Sequence, residues 1–454
     1  MTLVGLNVLV VGLGASGLSA ARALKERGAR VRVTEQSSGE EVRARAATLG
    51  RAGIDAEIGG HDFARLDADL AVVSPGIPPT APVVEALRQA GTELISEIEL
   101  AYRVARCSFA AVTGTNGKTT TTSLLAAILA EAGVETVAAG NIGLPLIDAV
   151  AEAGPRAIVA AEVSSFQLAL TRYFRPRVAV ILNVAQDHID WHGGLESYVS
   201  AKARIAANQG PDDALVFNLD DASCGRIARA ARARPIGFST RCAPSSGIGV
   251  DGGWVMWRGS NLLPLEDVRL PGLGGREDTL AASAAALELG VDVAPLKRAI
   301  ASFAPLPHRL ELVVTVGGVA FIDDSKATNP HAALAAMAGL SDVVLIAGGR
   351  SKGMDLTPLQ DSVPPVRAVV ALGEARDSVR AVFTGLVPVQ TADSMADAVQ
   401  RAAAMAGGKG SVLLSPACAS LDMYPSYVAR GEEFARVARA MADIREGRRV
   451  GQSQ

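Results

Sequence analysis

The sequence predicts an α/β chain of three domains, each built on a mostly parallel sheet with helices packed against it. Three observations carry that reading. Short apolar runs recur along the chain and end in polar or Gly-rich turns, as strands buried on both faces do. Two of these turns, Gly12 to Gly17 and Gly114 to Gly117, lead straight into helical periodicity. Ala, Val, Leu and Gly are abundant while aromatics make up only 4% of the residues, which suits helices layered on parallel sheets. The boundaries fall at 1–105, 106–305 and 306–454: a Rossmann-like domain, a central domain and a second Rossmann-like domain. With 454 residues, a net charge of −3 and no long basic block, the chain can bury sizeable cores, and nucleic acid is not an expected partner. The N-terminal apolar run is too short to span a bilayer, so no membrane span is expected. Four scattered cysteines lack metal-ligand spacing, so reduced thiols in the cytoplasm are the expectation; a monomer is also expected.

In the first domain, Asn7-Val-Leu-Val-Val11 reads as a strand, Gly12-Leu-Gly-Ala-Ser-Gly17 as a tight turn, and Leu18, Ala21 and Leu24 as one face of a helix that stops at Gly28. Val31-Arg-Val-Thr-Glu35 is the next strand and ends in an acid. This is the dinucleotide fingerprint, which places a diphosphate on the first helix without saying which nucleotide carries it. Leu70 to Ile77 is a further strand ending in Ser74-Pro-Gly76, where backbone is exposed at a strand's C-terminal end. The acids of Ser96-Glu-Ile-Glu-Leu100 read as first-turn helix capping.

The centre of the chain is Ala110-Ala-Val-Thr-Gly-Thr-Asn-Gly-Lys-Thr-Thr120. A buried strand, a Gly loop, Lys118-Thr119 and a helix form the phosphate cradle of a P-loop ATPase: loop amides and the helix N-terminus face a phosphate, Lys118 adds positive charge, and the Thr119 hydroxyl suits Mg²⁺. The general pattern has Gly five residues before Gly117, where this chain has Val112. Asn141, in Gly140-Asn-Ile-Gly143, can bring an amide to phosphate oxygens. Glu162 leaves an apolar strand just before Ser164 and Ser165, the usual place for a cation-binding carboxylate beside such a loop. Of five histidines, His188 and His192 follow the strand Val178 to Val184; His188 is the candidate ligand and His192 is read as structural. Lys202, from its residue type and position alone, reads as a solvated helix lysine. Gly252 to Trp257 reads as a hairpin strand, and Asp278 to Leu289 as an Ala-rich helix.

In the last domain, strands end at Asp324, Gly349 and Leu414, and Val366 to Leu372 is another. The polar groups at those ends, Lys326, Thr328, Lys352 and Ser420, are cationic or hydroxylic and suit an anionic amino acid.

The motifs Gly114 to Thr119, Gly140 to Gly143, Glu162-Val-Ser-Ser-Phe-Gln167, Asp187-His188, Lys202, His308-Arg309, Asp324-Ser-Lys-Ala-Thr-Asn329 and Ser415 to Asp422 stand in one order along nearly the whole chain. Together they resemble the Mur ligase family of the Mur ligase and folylpolyglutamate synthase superfamily. The last two motifs resemble its D-glutamate-adding branch. The resemblance implies an ATP-dependent, ADP-forming ligase that joins D-glutamate to UDP-N-acetylmuramoyl-L-alanine through an acyl phosphate, in peptidoglycan precursor synthesis. It implies ATP contacts from Gly114, Thr115, Asn116, Gly117, Lys118, Thr119, Thr120, Asn141, Arg309 and Asp324. It implies two Mg²⁺ ions, with Thr119, Glu162, His188 and a carbamylated Lys202 around them, and catalytic roles for Lys118, Glu162, His188 and Lys202. Gly14, Ser16, Glu35, Ser74 and Gly76 match the UDP-muramoyl side, and Ser164 lies near phosphates or the substrate carboxylate. Lys326, Thr328, Lys352, Ser420, Leu421 and Tyr427 match the D-glutamate side.

The chain departs from the family at three places. Glu35 stands where Asp is usual, and Tyr427 where Phe is. Gly274, Gly275 and Asp278 stand where a His-Asn pair and a further Asn usually contact adenine, so those contacts do not carry over. A related ligase using another amino acid or muramoyl acceptor would share the phosphate loop and the Glu162 and His188 segments, while Thr328, Lys352 and Ser420 argue for an acidic amino acid. A nicotinamide-dependent oxidoreductase would explain Gly12 to Gly17 but leave the second phosphate loop unused, and a non-catalytic nucleotide-binding regulator would leave Lys118, Glu162, His188 and Lys202 without a task.

Overall fold

A computed structural model describes the backbone of residues 2–451, and the side chains in that span other than those of Asp190 and residues 444–451. It contains three mostly parallel sheets. The first holds Asn7–Val11 (β1), Arg30–Glu35 (β2), Asp55–Ile58 (β3), Leu70–Val73 (β4) and Glu93–Ile95 (β5), in the order β3-β2-β1-β4-β5, all parallel. The chain runs outward from β1 on one side and then returns to build the other. The C-terminal ends of β1 and β4 therefore flank a switch point, where open α/β sheets bind ligands. Gly12 follows one of those strands and Ser74 the other.

The second sheet holds Ser108–Thr113 (β6), Thr136–Gly140 (β7), Ile158–Glu162 (β8), Val178–Ile181 (β9), Ala214–Asn218 (β10), Arg234–Ser239 (β11), Ile248–Asp251 (β12), Trp254–Trp257 (β13) and Ser260–Pro264 (β14). Its order is β14-β13-β12-β11-β10-β9-β6-β8-β7, with only the β12-β13-β14 ribbon antiparallel. Strand β6 lies between β8 and β9, so the phosphate loop, Glu162 and Asn183 leave neighbouring strand ends. The third sheet holds Glu311–Val316 (β15), Val319–Asp323 (β16), Val343–Gly348 (β17), Val366–Leu372 (β18), Val389–Ala392 (β19) and Ser411–Leu414 (β20), ordered β15-β16-β20-β17-β18-β19 and parallel except at β15. Here β20 sits between β16 and β17, which brings the segments after Asp323, Gly348 and Leu414 to one sheet end.

By compactness the chain forms two units. One comprises Met1–Val184, Trp191–Asp267 and Asp278–Ser302, and carries the first two sheets. The other comprises Ala185–Asp190, Val268–Glu277 and the chain from Phe303 on, and carries the third. No helix among the described residues is long and apolar enough to cross a membrane.

Two local readings need correction. The Ala-rich helix does not begin at Asp278; it spans Gly272–Glu288. Within that helix a Cβ on Gly275 would sit 2.7 Å from the Leu270 carbonyl carbon, so the glycine serves close packing. The acids after Ser96 are not simple caps of the helix Glu97–Val104. Both are buried and bind backbone elsewhere: Glu97 Oε1 accepts from Ile147 N at 2.6 Å, and Glu99 accepts from the amides of Arg172, Tyr173 and Phe174.

Candidate active site

The phosphate loop is held from three directions. Gly117 has φ 85°, conformational space that glycine enters without strain, and no side chain caps the helix Lys118–Glu131 that it opens. Asn183, just past β9, accepts from Thr115 N at 3.1 Å and Asn116 N at 2.9 Å, while its amide donates to Asn116 O at 3.3 Å. Lys118 Nζ curls onto its own loop, donating to the carbonyls of Gly114 (2.9 Å) and Thr115 (2.8 Å).

Lys202 Nζ reaches the same Gly114 carbonyl at 2.7 Å. It is 2% exposed, with its ammonium 4.4 Å from the Tyr198 ring centroid, and the Tyr198 hydroxyl lies 3.0 Å from Thr115 Oγ1. The solvated lysine suggested by residue type is therefore a buried loop contact. Asp278 is also drawn in. It accepts from Thr121 Oγ1 at 2.9 Å, and a Cβ on Gly117 would run into its carboxylate. Neither Asn183 nor Asp278 is a site residue by sequence reasoning.

Glu162 ends β8 and is 2% exposed. Asn141 binds it twice, through its backbone N–H to Glu162 O (2.9 Å) and its amide to Oε1 (2.7 Å). The second carboxylate oxygen, Oε2, is buried and has no hydrogen-bond partner among the described residues. An ionised oxygen in that state is costly unless a cation meets it, so the donor set fits a divalent ion.

Ser164 closes a capping box, accepting from Gln167 N at 3.2 Å while its own N–H donates to Gln167 Oε1 at 2.9 Å. Ser164→Ala should cost about 1 kcal/mol of stability, read as a lower urea midpoint; an unmoved midpoint would assign the hydroxyl no structural part. His192 meets Ser165 Oγ at 2.9 Å and stacks on Phe166, in keeping with a packing role.

At the first sheet, Glu35 Oε2 accepts from Leu13 N at 2.7 Å and Oε1 from Ser37 N at 2.8 Å. Ser74 Oγ donates to Gly12 O at 3.3 Å, and Arg45, which no motif marks, donates to Leu13 O at 3.1 Å. A Cβ on Gly17 would collide with Gly12 O, so that glycine lets the helix pack onto the turn. Gly14 and Gly76 have open space beside them, and Ser16 lies in the first turn of the helix Ala15–Glu26.

The second unit holds the remaining candidates. Asp324 Oδ2 accepts from Ser415 Oγ at 2.8 Å and Oδ1 from Leu310 N at 3.3 Å. Arg430, another residue without a motif, donates to Ser325 Oγ (2.9 Å), Ser325 O (2.8 Å) and Cys418 O (3.0 Å), fixing the loops after β16 and β20 together. Lys326 Nζ lies 3.8 Å from the Tyr427 ring centroid. Lys352 has φ 54° just beyond Gly348-Gly349, Ser420 is buried, Thr328 half-buried and Leu421 exposed. Arg309 acts on Asp324 through its charge. His188, also at positive φ, belongs to this unit; its N–H donates to Asp187 Oδ1 at 2.9 Å, and Asn329 Nδ2 donates to Asp187 Oδ2 at 3.3 Å. His308, Glu311 and Asp323 cluster closely, but their mutual bonds close the group: His308 Nδ1 faces Asp323 Oδ2 at 2.7 Å and His308 N donates to Glu311.

Burial pushes the Asp324 carboxyl up to about 7, with the Ser415 hydroxyl and the Arg309 charge opposing. The folded chain therefore keeps a proton that an unfolded carboxylate loses near pH ~4. Stability should fall as pH rises from ~4 toward 7 and level off above it. Asp324→Asn, neutral throughout, should flatten the fall in urea midpoint between pH 5 and 8; an unchanged slope would assign the effect to other groups.

Three family models match the chain: Mur ligase MurD-like, N-terminal domain, at residues 6–96; Mur ligase middle domain at 112–243; and Mur ligase, glutamate ligase domain, at 308–418. The UDP-N-acetylmuramoylalanine–D-glutamate ligase of Frankia casuarinae is 44% identical over 446 residues, 96% of this chain and 94% of that protein. Its counterpart in Acidobacterium capsulatum is 41% identical over 443 residues, 96% of each. Among solved structures, a UDP-N-acetylmuramate-alanine ligase from Thermotoga maritima aligns with a TM-score of 0.60 at 18% identity, over 96% of this chain and 99% of the other, a likeness of fold.

Proposed function

The chain belongs to the Mur ligase family, and we propose that it joins D-glutamate to UDP-N-acetylmuramoyl-L-alanine, in the cytoplasm and as a monomer, converting ATP to ADP and phosphate. The observation that carries this is the phosphate loop: Lys118 and Lys202 converge on the Gly114 carbonyl, and the neighbouring strand end offers the orphaned Oε2 of Glu162. That loop holds the ATP phosphates. The first sheet's turn, with Gly14, Ser16, Glu35, Ser74 and Gly76, takes the UDP-muramoyl substrate. In the second unit, Lys326, Thr328, Lys352, Ser420, Leu421 and Tyr427 take D-glutamate; the nucleotide role expected of Arg309 and Asp324 rests on the family resemblance alone.

A carboxylate is a poor electrophile, so it is activated first. An oxygen of the substrate carboxylate attacks the γ-phosphorus, and the bond to the bridging oxygen breaks with its electron pair leaving on ADP. The D-glutamate amine, as its free base, then attacks the acyl carbon. The tetrahedral intermediate expels phosphate, and the nitrogen loses a proton to leave an amide. Lys118 spreads the phosphate charge, and the loop amides hold the γ-phosphoryl in line. Thr119, Glu162 and a carbamate on Lys202 would hold Mg²⁺, which when bound neutralises phosphate charge. The metal role expected of His188 rests on the family resemblance alone.

The test is ADP release by the purified protein with Mg²⁺, ATP and UDP-N-acetylmuramoyl-L-alanine against D-Glu, L-Glu, D-Asp, meso-diaminopimelate and L-Lys. Turnover requiring both the UDP substrate and D-Glu is the expected result. Turnover with a different amino acid, or none, would overturn the reading.

A further inference from the structure

We infer that the first turn of the helix Leu146–Glu152 is a shared support linking the Gly12–Gly17 loop to Glu162, with Glu97 and Asp148 as its positioning residues. The inference rests on the proposed reading only in naming the two ligands whose sites the support joins.

The helix begins at Pro145, whose side chain cannot cap it, and one of its first amides finds a partner far away in the sequence. Glu97, 2% exposed, accepts from Ile147 N at 2.6 Å. The next residue, Asp148, accepts from Ser19 Oγ at 2.6 Å. Ser19 lies on the helix Ala15–Glu26, which opens at Gly14 of the first Gly-rich loop. One turn of helix is therefore gripped by two side chains of the N-terminal sheet's domain, one of them on the element that carries that loop.

On its other side, the same turn runs back without slack to Glu162. Gly140 N donates to Leu144 O at 2.8 Å, closing residues 140–144 into a tight turn just before Pro145. Asn141 in that turn holds Glu162 by backbone and side chain. A Cβ on Gly140 would collide with Glu162 O, so the turn lies directly against the strand end. A shift of the helix Ala15–Glu26 is thus passed through Ser19 and Asp148 to the turn that aims the Glu162 carboxylate. Burial, with the Asp148 charge adding to it, pushes Glu97 up to about 7; in either charge state Oε1 accepts from Ile147 N.

Two sites joined by a rigid support influence each other's ligands equally and reciprocally. The measurement is calorimetric binding of Mn²⁺ with a non-hydrolysable ATP analogue, with and without saturating UDP-N-acetylmuramoyl-L-alanine. In the wild-type chain the UDP substrate should change the affinity for the metal–nucleotide pair by about fivefold or more. Ser19→Ala and Glu97→Ala should each bring that ratio close to one, while each ligand alone still binds within about threefold of wild type. Glu97→Gln keeps an acceptor for Ile147 N and should keep the coupling, whereas Glu97→Met, similar in volume but without that acceptor, should lose it as the alanine variant does. A wild-type ratio near one, or a ratio unchanged in Ser19→Ala, would overturn the inference; Ser19→Ala removes one partly buried hydroxyl and keeps the test decisive should Glu97→Ala misfold. The readout needs no turnover. Coupling without D-glutamate turnover would sink the proposed function alone, and turnover with coupling untouched by Ser19→Ala would sink this inference alone.

Discussion

Glu162→Gln should lower kcat for ADP release by about 10²–10³, the scale set by losing one preorganised electrostatic group in a water-poor site. The substitution is nearly isosteric, and its effect follows from which oxygen changes. Oε1 is already engaged by Asn141 at 2.7 Å, and the Gln carbonyl can take over that bond. The new NH₂ then occupies the place of Oε2, the atom without a partner among the described residues. A donor carrying partial positive charge replaces the lone pairs of an anion, and a cation is repelled where it was held. Folding should change little, because the strand, the Asn141 bond and the volume all persist. A large fall in turnover with an unmoved urea midpoint, together with weaker Mn²⁺ binding, is the expected pattern. If kcat stayed within about threefold of wild type, the orphaned oxygen would not be a cation site and the charge on the phosphates would need another partner.

Much of the fold was legible because parallel strands buried on both faces advertise themselves. β8 and β17 are buried at every residue and read as apolar runs, broken only where Glu162 closes β8. The weakly apolar strands were not legible. Asp55–Ile58 at the edge of the first sheet and Val389–Ala392 at the edge of the third are only half covered, so their sequences, Asp-Ala-Glu-Ile and Val-Gln-Thr-Ala, carry no clear pattern. Loops at strand ends could be found by their glycines, since Gly12 and Gly117 occupy positive φ that other residues enter only with strain.

The supporting residues were harder to find. Asn183 binds the phosphate loop across 67 positions, Glu97 reaches its helix across 50, and Arg430 reaches Ser325 across 105. No local spacing encodes a partner at that distance. Lys202 hides for a different reason. Tyr198, Val199, Ala201 and Lys202 are buried while Glu196, Ser197 and Ser200 are exposed, so Lys202 lies on the covered side of its helix, where its residue type points the reading the wrong way.

The largest effect on stability is expected at Glu99. Its side chain is fully buried and makes four kinds of bond: to Arg172 N at 2.9 Å, Tyr173 N at 3.0 Å, Phe174 N at 3.0 Å and Arg103 Nε at 2.8 Å. One carboxylate thus fastens the helix Glu97–Val104 to the segment that leads into β9. Glu99→Ala strips the partner from a nearly buried guanidinium and from three backbone amides at once. Arg103 keeps Glu93 at 2.7 Å, which softens the loss without cancelling it. Breaking a buried pair in this way costs about 3–5 kcal/mol, a large share of the roughly 5–15 kcal/mol that holds a typical domain folded. Glu99→Gln keeps one acceptor oxygen and the volume, and should lose about half as much. All three tryptophans, Trp191, Trp254 and Trp257, lie in the unit that contains Glu99, so their fluorescence follows its unfolding in urea. A cost below about 1 kcal/mol for the alanine variant would mean that water replaces the carboxylate at the amides, and that the helix is fastened by its apolar contacts with Phe109 and Phe174 through Tyr102 instead.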